Sequence, residues 1–92
     1  MQNWKISEEE IDSIINSIVD TDKEYVTEFG SATIVAWILP NGYTISEISG
    51  CVNPEQFDME IGKKNCRAKL KTKLWELEGY LHKQMYFEAM EG

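Results

Sequence analysis

The sequence is short of most of what catalysis needs. Its single histidine, His82, has no serine or cysteine placed beside it, so a nucleophile, a base and an orienting group have no candidates. There is no glycine-rich phosphate loop, and no Cys, His, Asp and Glu set at metal-ligand spacing; neither a metal nor an organic cofactor is expected. The two cysteines, Cys51 and Cys66, lie in no CxxC motif and read as reduced, small buried hydrophobes. Paired carboxylates occur in SEEE and WELE, but Ser7 and Glu10 are engaged in a helix cap, and Glu76 and Glu78 point about 200° apart on a helix. An enzyme is therefore not expected. No apolar run approaches the ~20 residues that cross a bilayer, and MQNWKISEEE lacks the basic start and apolar stretch of a secretory signal, so the expected location is cytoplasmic, away from membranes.

Bases are also scarce where acids are dense. Residues 1–60 hold twelve acids against Lys5 and Lys23, whereas residues 61–92 hold seven bases against four acids, within a net charge of −7. Six of those bases and no acid fall in KKNCRAKLKTK, residues 63–73. One reading is a solvated helix face that offsets the acidic half; the other is a seat for a small phosphate-bearing ligand. An acidic surface overall disfavours double-stranded DNA.

Ninety-two residues make one domain, spanning 1–92, with room for a single core layer. Ser7 and Glu10 form a capping box with Ile6 and Ile11 as its staple, and Ile11, Ile14, Ile15, Ile18 and Val19 recur at helical spacing, predicting an amphipathic helix within 7–20. From residue 23 to 50 the period drops to two and β-branched and aromatic residues take over, predicting antiparallel strands near 23–29, 32–39 and 43–50. Asn41-Gly42 suits a two-residue type I′ hairpin turn, which sets Ile38 opposite Ile45, Ala36 opposite Glu47 and Trp37 opposite Ser46. On that register Ile34, Ala36, Ile38, Tyr43 and Ile45 face the helices, and Val35, Trp37, Leu39 and Ile48 form the opposite face. Residues 54–88 read as helical: a capped turn at Asn53-Pro54, then a long helix capped by Asp58, with fraying or a bend at Gly79. The fold class is α+β.

The long helix has two apolar stripes. Cys66, Leu70, Leu74, Leu77 and Leu81 form a core stripe, while Ile61, Ala68, Trp75, Gly79, His82 and Tyr86 lie on the other side. A glycine there is disfavoured relative to alanine by ~1 kcal/mol, so a close approach of another backbone or ring is the expected reason for it. The second stripe is therefore the expected interface of a homo-oligomer.

The segment PNGYTISEISGCVNPEQFDMEIGKKNCRAKLKTKLWELEGYL, residues 40–81, resembles the small tailed-phage proteins called gene-49/gene-66-like. It shares their Asn-Gly turn, Cys-Val-Asn-Pro step, Phe-Asp and Ile-Gly pairs, and closing Trp-Glu-Leu-Glu-Gly-Tyr-Leu. The resemblance implies a phage or prophage origin and an infected bacterial cytoplasm. A looser similarity to phage anti-Thoeris proteins implies an oligomer that sequesters a cyclic ADP-ribose signal.

Two functions are expected from these readings. In the first, a counter-defence protein captures a nucleotide-derived signal without consuming it, with Lys63, Lys64 and Arg67 on the phosphates and Trp37, Tyr43 or Trp75 under the base. In the second, the acidic N-terminal half inhibits a host defence protein, such as a nuclease, by direct contact.

Overall fold

A computed structural model describes residues 6–91; part of the N-terminal stretch considered as a leader lies outside them. The elements run α1 (Glu8–Asp20), β1 (Glu24–Phe29), β2 (Ala32–Ile38), β3 (Thr44–Gly50), a 3-10 turn (Pro54–Gln56) and α2 (Met59–Glu91). The fold is α+β, with strands in the order β1-β2-β3, all antiparallel.

Local chemistry sets each boundary. The Ser7 hydroxyl accepts from Glu10 N at 3.1 Å and opens α1. α1 closes in a Schellman motif: Lys23 N donates to Ile18 O, Asp22 N donates to Val19 O, and Asp22 takes φ +58, a left-handed conformation that aspartate tolerates. Gly30, at φ +62, is the first of two residues joining β1 to β2, as a type II′ turn requires. Asn53 Oδ1 accepts from Glu55 N ahead of Pro54, and Asp58 Oδ1 accepts from Glu60 N at the start of α2. α2 then continues without interruption through Gly79 to Glu91.

The register of β2 on β3 differs from the expected one by one residue. Ile38 pairs with Thr44, Trp37 with Ile45, and Ala36 with Ser46. Pro40 joins the turn, which therefore has three residues: Gly42 N donates to Leu39 O, Gly42 sits at φ +90, and Leu39 N donates to Tyr43 O. A one-residue slip exchanges the faces of a strand. Thr33, Val35 and Trp37 are buried against the helices, and Ile34, Ala36 and Ile38 lie on the outer face, the reverse of the expected assignment.

The core is one layer between the sheet's inner face and the two helices: Ile11 and Ile18 of α1, Val35, Trp37 and Ile45 of the sheet, and Cys66, Leu70 and Leu74 of α2. Cys66 is buried as expected, and burial pushes its thiol pKa up; Cys51 is only half-buried, with its thiol on Asn53 O. Gly62 heads the buried i+4 series that continues through Cys66, Leu70 and Leu74. A Cβ on Gly62 would overlap Thr33 Oγ1 and lie 2.6 Å from Thr33 Cβ, so this glycine lets α2 cross β2 at close range. Among the described residues Gly79 has no such neighbour, since a Cβ there would meet Ile6 Cδ1 alone, at 3.9 Å.

Burial on α2 stops at Leu74. Leu77 and Leu81, expected in the core stripe, are 39% and 49% exposed. A helix of 33 residues is about 50 Å long, and the molecule's longest dimension is 57 Å, so the last part of α2 overhangs the body.

Candidate functional site

The basic stretch of α2 is engaged with the acidic half of the same chain. Arg67 donates through Nε and Nη2 to the two oxygens of Glu24, at 2.8 and 2.6 Å, and Trp37 Nε1 donates to the same carboxylate at 2.9 Å. The Arg67 contact, aided by the Trp37 hydrogen bond and the nearby Lys63 charge, holds the Glu24 carboxyl below its ordinary value against the opposing effect of burial. Glu24 in turn raises Arg67. Lys71 bonds Glu8 at 2.7 Å and Asp12 at 3.2 Å, which raises its pKa and ties α1 to α2. Lys69 Nζ donates to Ile48 O, and Lys73 pairs with Glu47 at 3.5 Å.

These contacts decide where the expected ligand residues stand. Trp37 is 1% exposed and forms part of the core, and Arg67 has its guanidinium fork on Glu24. Tyr43 is exposed at the hairpin end of β3, while Asn65 Nδ2 donates to Ser49 at the opposite end of that strand, beside the start of α2. Lys63 is half-buried and Lys64 exposed. Trp75 lies eleven residues beyond Lys64, about 16 Å along the axis. The six residues thus do not converge within one chain.

The second stripe of α2 does converge. Trp75, Gly79, His82 and Tyr86 line an open groove of about 390 Å³ together with Ile6 and Lys83. Ile61 and Ala68, expected on the same interface, are exposed and lie outside the groove. His82 Nε2 lies 3.6 Å from Glu78 Oε2, and its Nδ1 is buried without a hydrogen-bond partner among the described residues. Lys83 Nζ sits 5.6 Å from the centre of the Tyr86 ring, within cation–π range. Such a groove has the size of a small-molecule cleft and offers the Trp75 ring and the Lys83 cation. Sequence reasoning missed Ile6 and Lys83; the latter was marked only by its i+4 spacing from Gly79.

Among the described residues, no group of three or more His, Cys, Asp or Glu side chains could hold a metal ion, and no helix is long and apolar enough to cross a membrane. No curated protein and no solved structure matches the chain. The profile of the phage protein (N4 Gp49/phage Sf6 gene 66) family matches residues 6–86, from the last residue before the α1 cap to the aromatic groove on α2, and the chain belongs to that family.

Proposed function

We propose that this phage-family protein is a non-catalytic counter-defence protein that captures a nucleotide-derived signalling molecule, of the cyclic ADP-ribose or cyclic oligonucleotide type, in the groove on the overhanging part of α2. The observation that carries this reading is the groove itself: Trp75 supplies a ring face for a base and Lys83 supplies positive charge, in a cleft of small-molecule size. Lys63 and Lys64 reach phosphates of a ligand so placed only from a neighbouring copy, so capture works best in a homo-oligomer within the infected bacterial cytoplasm. With His82 as the one imidazole and neither serine nor cysteine in the described lining of the groove, the ligand is held and released intact.

Calorimetry against cyclic ADP-ribose isomers, cyclic dinucleotides and cyclic trinucleotides tests this. Base stacking on an aromatic side chain is worth about 1–3 kcal/mol, so Trp75→Ala should weaken binding roughly 5- to 150-fold at unchanged melting temperature. No heat with any of these ligands, or recovery of a cleaved product, would sink the reading.

A second reading has its own support. The outward side of α1 carries Glu9, Asp12, Ser13, Asn16 and Asp20 along a shallow groove of about 570 Å³ with no cation in its lining. That acidic surface suits a basic cleft on a host defence protein. Capture of such a protein by the wild type but not by Glu9→Lys/Asp20→Lys, together with silent calorimetry, would favour it.

A further inference from the structure

The sheet has its charges on the wrong side for a solvated surface. Strand alternation places Glu24, Glu28 and Glu47 on the face that carries α1 and α2. The outer face is built from Tyr25, Thr27 and Phe29 of β1, Ala32, Ile34, Ala36 and Ile38 of β2, and Thr44, Ser46 and Ile48 of β3, without a single charge. Tyr25, Phe29, Ile38 and Ile48 are 68%, 80%, 43% and 54% exposed, and among the described residues both helices pack on the other side. An antiparallel sheet normally keeps such a face polar.

We infer that this outer face is the seat of a second copy of the same chain, packed sheet against sheet about a two-fold axis running along β2.

Three observations select that occupant. The chain carries a net charge of −7 with its acids concentrated in residues 1–60, so contact through the acidic α1 surface would bring acid onto acid, whereas the outer positions of these strands carry no charge. The face is also self-complementary in bulk. A two-fold along β2 lays β1 of one copy over β3 of the other, so Tyr25 and Phe29 meet a strand whose outer side is mostly Thr44, Ser46 and Gly50, with room for aromatic rings, while Ala32 and Ala36 let the central strands approach. The patch has apolar surface to bury: Tyr25 and Phe29 are mostly exposed, Ile38 and Ile48 about half, and aromatic side chains bury up to about 150–250 Å² each, a substantial share of the ~800 Å² that each partner gives to a stable interface. This interface covers the side of the sheet away from α2 and leaves the overhanging helix open in both copies, so the contact that would bring Lys63 and Lys64 to a neighbour's groove is a separate one.

Sedimentation velocity on the full chain tests it. The wild type should sediment at micromolar concentration with an even number of chain masses, and Phe29→Glu should halve that mass with unchanged helix content. Ile34→Lys, at the middle of the face, should do the same; if it fails to fold, Phe29→Glu still decides, because its site is 80% exposed. Tyr80→Glu on the overhanging helix should leave the sheet-paired mass in place. A wild type that sediments as one chain, or a Phe29→Glu variant that keeps the wild-type mass, would overturn the proposal.

Discussion

Residues 59–74 and residues 75–91 belong to one uninterrupted helix yet live in different environments. The first part puts Gly62, Cys66, Leu70 and Leu74 into the core at i+4 steps and ties Arg67, Lys69, Lys71 and Lys73 to acceptors on β1, β3 and α1. The second part keeps Leu77, Tyr80, Leu81, Met85, Phe87 and Met90 in contact with solvent and gathers its remaining aromatic residues into a groove. The comparison teaches that a charge cluster and an apolar stripe can exchange their obvious roles. Arg67, Lys69, Lys71 and Lys73 serve the fold, and the proposed binding groove draws instead on residues beyond Leu74.

Core truncation should divide the two parts most sharply. Leu70→Ala should destabilise the protein by about 2–5 kcal/mol, the range for a fully buried leucine, whereas Tyr80→Ala, at 75% exposure, should stay within about 0.5 kcal/mol. Equal effects in chemical denaturation would erase the division.

Gly62→Ala comes next, with an expected loss of about 1–3 kcal/mol from overpacking against β2. Thr33→Ala should restore part of that loss by removing the Oγ1 and Cγ2 atoms, but not all of it, because Thr33 Cβ would remain 2.6 Å from the new methyl group. A full-strength Gly62→Ala protein would show that α2 does not cross β2 this closely.

Arg67→Ala should cost about 2 kcal/mol, since it leaves the mostly buried Glu24 carboxylate without its charged partner. The sign of the pH dependence follows from the lowered pKa of Glu24. The contribution is complete above the unfolded carboxylate value of about 4.3 and disappears as pH falls through the lower folded value. Thermal melts from neutral pH downward should therefore show an acid-side loss in the wild type that Arg67→Ala lacks.

A smaller effect of opposite sign belongs to Gly79→Ala. With Ile6 Cδ1 the one atom within 4 Å among the described residues, the added methyl fits, and the helix should gain up to about 1 kcal/mol. A loss instead would mean that something packs closely on Gly79 in the assembled protein.

The sequence made the elements readable because their punctuation is local. Ser7, Asn53 and Asp58 each accept from a backbone amide two or three residues on, and each marks its boundary without reference to the rest of the chain. The sheet face was not readable for the opposite reason. Residues 32–38 alternate between two apolar sets, so the choice rested on the turn, and counting Pro40 out of it shifted every pair by one. The decisive clue is non-local: a face bearing Glu24 and Glu47 can be turned inward only because Arg67 and Lys73 of α2 arrive to meet them. Of the site, Trp75, Gly79, His82 and Tyr86 were visible as a helical stripe, but that Ile6 would wall the groove depended on how α1 lies along α2. Gly62 was readable in principle, as the first member of the series through Cys66, Leu70 and Leu74.

Native-state hydrogen exchange along α2 tests the division of the helix most directly. Amides from Cys66 to Leu74 should exchange only with global unfolding, and those beyond Met85 should exchange orders of magnitude faster through local fraying, with a captured nucleotide slowing the amides around His82. Uniform protection from Cys66 to Glu91 in the ligand-free protein would contradict the account, because it would require a packed partner along the part of the helix described here as open.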